Sequence, residues 1–304
     1  MERVIIDCDP SADDGVALLL ALASRRLSVA GITTVAGVAG AGQTTVNALR
    51  ILELAGREDI PVSMGAAKPL CRPLSLSLLY GGKDGMSDTG IPWPKTRPTP
   101  WEAQEWIRNL LEKEEEVSVI SIGPMTNLAR LFLDYPKEAR KIKRIYTASG
   151  CYGVREGDPG WKTRPSWNIW ADPEAAGAVF ASGVPIFAAG VDVTGTFTPE
   201  MAEKILERGN RNCPAFAFFC QAAEYNRRHG LEVSSLLVDA AAVVLALHPE
   251  WFSLHSGWTE VEKEESRRGN LIFYEKPAED SCHFAAGRAD LEQMTEFMIE
   301  RIFT

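Results

Sequence analysis

The chain has 304 residues, 45% of them hydrophobic, and a formal net charge of −9. That is enough apolar content for a large buried core, read here as one domain over residues 1–304. The charge argues against nucleic acid or an anionic membrane as principal partner and favours a small molecule.

The start, Met1-Glu2-Arg3-Val4, runs straight into an apolar strand. With no basic leader, cleavage site or bilayer-length apolar run, the expectation is a cytoplasmic protein. Strands are predicted at Val4–Asp7, Val29–Val35, Val117–Ile122, Ile145–Ala148 and Val184–Ala188. Between them, helical periodicity covers Asp13–Ser24, Thr44–Ala55, Trp101–Leu111, Thr126–Leu133 and Pro173–Ala181. This alternation predicts an α/β fold with a doubly wound, mainly parallel sheet, in which ligands bind beyond the carboxyl ends of the strands. Asp7, Ile122, Ser149 and Gly190 fall at or near such ends. Tyr80–Pro100 and Gly150–Ser166 lack periodicity and read as loops walling a site. A helix is expected over Pro214–His229, short strands at Thr259–Val261 and Leu271–Tyr274, and a closing helix at Leu291–Ile302. Six scattered cysteines without C-x-x-C spacing are expected to be reduced.

The most informative segment is Asp7-Cys8-Asp9-Pro10-Ser11-Ala12-Asp13-Asp14, four carboxylates at a strand-to-helix junction. Such crowding is costly unless a cation or protons neutralise it, and hard oxygen ligands favour Ca²⁺ or Mg²⁺. An EF-hand loop fails, because Ala12 and Leu18 occupy its glycine and glutamate positions. Asp7-Cys8-Asp9-Pro10-Ser11 also satisfies the short Asp-x-Asp-x-Ser pattern of haloacid-dehalogenase-type phosphotransferases. There Lys143 would be the lysine and Asp192 the single later carboxylate. Helix capping alone needs one carboxylate, not four.

The same eight residues resemble the Asp-x-Asp-Pro-Gly-x-Asp-Asp fingerprint of the inosine-uridine-preferring nucleoside hydrolases, with Ser11 in place of glycine. The resemblance continues through Gly31–Gly37, Ile122–Leu128, Asn168–Ala176 and Val191–Thr194. It implies a nucleoside-hydrolase-like fold and a calcium-dependent ribonucleoside N-glycosidase acting on a nucleoside or nucleotide, as a homodimer or homotetramer. By position, Asp9, Asp14, Asp239 and the backbone carbonyl of Ile122 would hold Ca²⁺. Asp9 would act as general base, Asp13 and Asn168 would grip the ribose hydroxyls, and Asp7 would support the loop from behind.

The pattern breaks where the rest of the nucleoside would sit. Val38 replaces an asparagine, Ser166-Trp167-Asn168 replaces Glu-Phe-Asn, and Val238-Asp239 replaces His-Asp. Arg155, Lys162 and Arg164 stand near the altered segment, so a 5′-phosphorylated ribose or a modified base, such as the queuosine type, becomes an expected substrate. Valine at 238 removes a proton donor, for which Tyr225 and His229 are candidate substitutes. Trp93, Trp161 and Trp167 are candidates for stacking on a base. The alternative is a ribosyl-ligand binding protein with weak or no catalysis.

Overall fold

The computed structural model describes residues 1–77 and 81–304. Tyr80, where the first expected loop begins, lies outside the described residues. In chain order the elements are β1 (Glu2–Cys8), α1 (Ala12–Ala23), β2 (Leu27–Thr34), α2 (Ala41–Leu54), β3 (Val62–Met64), α3 (Ala103–Lys113), β4 (Val117–Ser121) and α4 (Thr126–Asp134). Next come α5 (Pro136–Ala139), β5 (Ile142–Thr147), α6 (Trp167–Ala171), α7 (Pro173–Phe180), β6 (Ile186–Ala188), α8 (Val191–Thr194), α9 (Pro199–Arg208) and α10 (Pro214–Arg228). Last are α11 (Ala240–Leu247), β7 (Phe252–Val261), β8 (Leu271–Glu275), β9 (His283–Ala289) and α12 (Leu291–Ile302).

The strands form one sheet in the order β3-β2-β1-β4-β5-β6-β9-β7-β8. Neighbours are parallel from β3 to β9, while β7 is antiparallel to both β9 and β8. This is the doubly wound, mainly parallel α/β sheet expected. Strand β1 shows why: Val4, Ile6 and Cys8 point into a core built largely with α1, α10, α11 and α12. Ile5 points into the opposite core with α3, α4 and α7. A strand buried on both faces reads as a continuous apolar run, whose alternate side chains supply two separate layers.

After β1 the chain winds outward through β2 and β3, then returns to the other side of β1 as β4. The crevice between the carboxyl ends of β1 and β4 is therefore the topological switch point, where open α/β sheets bind ligands. Asp9 follows one of these strands and Ile122 the other.

Several elements depart from expectation. Strand β7 spans ten residues rather than three, and β3, β9, α9 and α11 were not anticipated. Helix α11, Ala-Ala-Ala-Val-Val-Leu-Ala-Leu, is buried on every side, so it carries no polar face to mark its period. No helix among the described residues is long and apolar enough to cross a membrane. The six cysteines are free thiols.

Candidate active site

A cavity of about 660 Å³ opens over the switch point. Asp9, Asp13, Asp14 and Asp239 line one end, with Ile122 and Asn168 beside them. The acids arrive from two distant places in the chain. Asp9, Asp13 and Asp14 sit at the β1–α1 junction, and Asp239 immediately precedes α11.

One carboxylate oxygen from each of Asp13, Asp14 and Asp239 lies within 4.8 Å of the others. The tightest convergence thus includes Asp13 rather than Asp9. The reason is local: Asp9 Oδ2 accepts the Val38 N–H at 2.7 Å, which turns that carboxylate toward the loop after β2. It fits there because the neighbours are glycines. A Cβ on Gly37 would stand 2.1 Å from Asp9 Oδ2, and one on Gly123 would stand 2.9 Å from Asp9 Oδ1. Asp14 Oδ2 accepts from the Ser11 N–H at 3.0 Å and from Ser11 Oγ at 3.1 Å, while Asp14 Oδ1 is buried without a partner. Ser11 Oγ also contacts Asp13 Oδ1, so the serine that departs from the family fingerprint touches two of the acids.

Burial pushes the carboxyl groups of Asp9, Asp13, Asp14 and Asp239 up from their ordinary range. The negative charge of Asp14 adds to the effect at Asp9 and Asp239, and that of Asp13 adds to it at Asp14. A site of this kind lacks positive charge. The donor set is all oxygen, one buried oxygen is unpartnered, and Ile122 offers a carbonyl at the rim, so these residues fit a hard divalent cation. The Ile122 oxygen accepts from Asn168 Nδ2 at 2.7 Å, which leaves it a second lone pair. Asn168 Nδ2 is also 3.2 Å from Ser149 Oγ, so its amide is fixed by two contacts.

Asp7 is fully buried and does not reach the cavity. It accepts from Thr33 Oγ1 at 2.6 Å and Asn127 Nδ2 at 2.8 Å, and burial raises its pKa to about 6 despite those bonds. A buried Asp7 is closed to a substrate phosphate. Lys143 pairs with Glu116 at the start of β5, away from the strand ends, and Asp192 accepts from Tyr152 N, Val154 N and Trp161 Nε1. The constellation needed for a phosphotransferase is therefore not assembled.

Other expected residues divide sharply. Val38, Arg164, Ser166, Trp167 and Val238 line the cavity. Trp167 stacks on Trp170 with centroids 5.1 Å apart, and Ser166 immediately precedes α6 while its Oγ accepts the Gly150 N–H at 2.8 Å. Lys162 is exposed and outside the lining. Tyr225 is buried against His229, ring centroids 4.0 Å apart, and His229 is held to the Tyr225 carbonyl; neither lines the cavity. Trp93 projects into solvent, and Trp161 stands behind the wall under Arg155. Asn226, one residue past Tyr225, does line the cavity, as do Ser235 and Thr194, which the sequence does not single out. Adjacent positions on a helix point about 100° apart, so a one-residue difference moves a side chain from core to cavity.

Comparison with known proteins places this geometry among relatives. The pyrimidine-specific ribonucleoside hydrolase RihA of Citrobacter koseri is 35% identical over 269 residues, 86% of this chain and 84% of that protein. Its Klebsiella pneumoniae counterpart is 36% identical over 267 residues, with the same coverage of both chains. A solved plant nucleoside hydrolase, PpNRh1, superposes with a TM-score of 0.85 at 28% identity, covering 100% of this chain and 99% of that one. The purine-preferring ribonucleoside hydrolase of Gardnerella vaginalis, 23% identical, shares the fold at a TM-score of 0.85 over 99% of this chain and 98% of its own. The model of the inosine-uridine preferring nucleoside hydrolases matches residues 4–296, and the chain belongs to that family.

Proposed function

We propose that this protein is a calcium-dependent ribonucleoside N-glycosidase that hydrolyses the bond between ribose and base. The observation that carries the reading is the convergence of Asp13, Asp14 and Asp239 at the switch point, with Asp14 Oδ1 buried and unpartnered. Asp14, Asp239, Asp9 and the Ile122 carbonyl would hold the ion. When bound, it supplies Lewis acidity to water and to ribose hydroxyls.

The chain's own groups do the rest. Asp9, its second oxygen fixed by the Val38 N–H, takes the proton of the attacking water. Asp13 and the amide of Asn168 hold the sugar hydroxyls, and the acidic end of the cavity favours the positive charge that develops on the ribosyl ring. Val38 and Val238 make the leaving-group wall apolar, which suits a base unlike hypoxanthine or uracil, the queuosine type included.

Among the described lining residues there is no histidine, tyrosine or lysine to protonate the departing base. That observation favours one second reading, a ribosyl-ligand binding protein with weak or no catalysis. A reducing-sugar assay over uridine, cytidine, inosine, guanosine and queuosine tests both. The proposal expects sugar release that a chelator abolishes and Ca²⁺ restores. Ribose binding without release from any substrate would transfer the case to the binding protein.

A further inference from the structure

Beside the cavity, two guanidinium groups converge on one glycine of its wall. Gly195 lines the cavity, and a Cβ built on it would stand 2.5 Å from Arg155 Nη2 and 3.2 Å from Arg164 Nη2. Both arginines are arranged around Trp161, with Arg155 3.4 Å and Arg164 5.0 Å from the ring centroid. The platform is rigid, since Trp161 Nε1 donates to the buried Asp192 at 3.0 Å and Arg155 Nε donates to the Asp192 carbonyl at 3.1 Å.

Neither cation is well neutralised. Arg155 has only Asp158, at 3.9 Å, and the Asp192 carboxylate is already committed to Tyr152, Val154 and Trp161. Arg164, the one cationic side chain on the cavity wall, has no carboxylate within ion-pair distance among the described residues. Holding two like charges against one spot is unfavourable, and an anion there would relieve it. Gly195 lets the guanidinium groups approach the backbone this closely, since a Cβ there would collide with Arg155 and with the Val191 carbonyl oxygen at 2.7 Å.

The spot belongs to the same wall as the sugar-binding amide. Arg164 lies two residues before Ser166, the residue preceding α6, and Asn168 is the second residue of that helix, bonded to Ile122 beside the acids. A ribosyl group held at Asn168 would send a substituent along Ser166 toward Arg164. The Ser166 side chain is neutral and does not repel an anion.

We infer that the Arg164–Gly195 corner is a subsite for a phosphate monoester on the ribose, and that the preferred substrates are nucleoside 5′-monophosphates. The inference rests on the N-glycosidase reading for the reaction and on the arginine pair for the substrate. In the reaction the C1′–N bond breaks, the water oxygen bonds to C1′, its proton ends on the base, and ribose 5-phosphate leaves. Arg164 binds the phosphate. Arg155 is a positioning residue that fixes Trp161, the ring beside which Arg164 lies.

The test compares kcat/KM for uridine, inosine and queuosine and for their 5′-monophosphates with the Ca²⁺-loaded protein, in the unaltered chain and in Arg164→Ala and Arg164→Lys. Binding of ribose and ribose 5-phosphate to the same three proteins is measured by calorimetry. The expected result is at least a tenfold preference for monophosphates that falls tenfold or more in Arg164→Ala and is partly restored in Arg164→Lys. Ribose 5-phosphate should bind more tightly than ribose with the same dependence. Nucleosides cleaved as fast as monophosphates, or a preference indifferent to Arg164, would overturn the subsite and leave the N-glycosidase intact. No hydrolysis of any substrate, with arginine-dependent binding of ribose 5-phosphate, would overturn the N-glycosidase and uphold the subsite. Equal binding of the two sugars without hydrolysis would overturn both.

Discussion

Replacing Asn127 with alanine should disable the site from behind while touching nothing in the cavity. Asn127, in the first turn of α4, is completely buried and joins three segments. Its Nδ2 donates to Asp7 Oδ1 at 2.8 Å and to the Thr34 carbonyl at 3.0 Å, and its Oδ1 accepts the Ala66 N–H at 2.8 Å. Alanine removes all three bonds and strands a main-chain carbonyl, a main-chain N–H and part of a buried carboxylate. Each buried group left unpaired costs on the order of 1 to 2 kcal/mol, so the total should be about 3 to 6 kcal/mol. Asp7 is two residues before Asp9, and the Asp7 carbonyl accepts the Ile122 N–H at 2.9 Å, so the loosened strand end carries both rims of the crevice with it. Urea unfolding followed by tryptophan fluorescence should give the stability loss, and steady-state sugar release at a temperature where the variant stays folded should show kcat/KM down at least tenfold. A stability change below about 1 kcal/mol would refute the bond accounting. Full activity in a clearly destabilised variant would refute the claim that Asn127 sets the crevice.

Gly37→Ala puts a methyl group into the space of Asp9 Oδ2, so kcat/KM should fall by roughly a hundredfold or more for loss of an aligned base; activity within threefold of the parent would contradict the cradle. His283 accepts the Thr259 N–H on Nδ1 at 2.9 Å, which leaves Nε2–H to donate to the Phe180 carbonyl at 3.0 Å, and burial lowers its pKa from 6.5 to about 4. The unfolded chain then takes up this proton below about pH 6.5 and the folded chain only below about 4, so the contribution, roughly 3 kcal/mol, is present at neutral pH and lost as pH falls through that window. The stability difference between the parent and His283→Gln should therefore narrow between pH 7 and pH 4.5 in urea titrations, and a constant difference would rule the effect out. Arg50, buried and paired with Asp84 at 2.7 Å while also donating to the Ile91 carbonyl, ties residues 81–91 to α2. Arg50→Ala should cost about 2 kcal/mol and speed proteolytic cleavage within that segment, as mapped by mass spectrometry; an unchanged cleavage pattern would separate the loop from the tether.

The fold was legible wherever a strand is buried on both faces, since Val4-Ile5-Ile6 and Val117–Ile122 leave little alternative to central parallel strands. It was illegible where residues are few or small. Strand β3 has three residues, and β9, His-Phe-Ala-Ala-Gly-Arg-Ala, lacks the β-branched side chains that mark a strand. The acidic end of the site was legible because three of its four carboxylates are local in sequence; Asp239 came only through the family pattern. For the arginine-bearing wall the sequence supplies three cations and not their directions. Arg164 lines the cavity, whereas Lys162 faces solvent and Arg155 lies against Trp161, because the directions of side chains in an irregular loop follow from packing that no periodicity announces. Tyr225 packs into the core while Asn226 lines the cavity for the related reason that helix phase, not residue type, decides which side chain meets it.

Strand β9 joins β6 to β7, so the antiparallel hairpin β7–β8 reaches the rest of the sheet only through residues 283–289. During synthesis, all the parallel strands but this one emerge well before it, and until it arrives the β6 edge stays unpaired, open to any passing strand. A chain stopped at residue 282 would leave that edge exposed, together with the core surface that β9 and α12 cover, and should be prone to self-association.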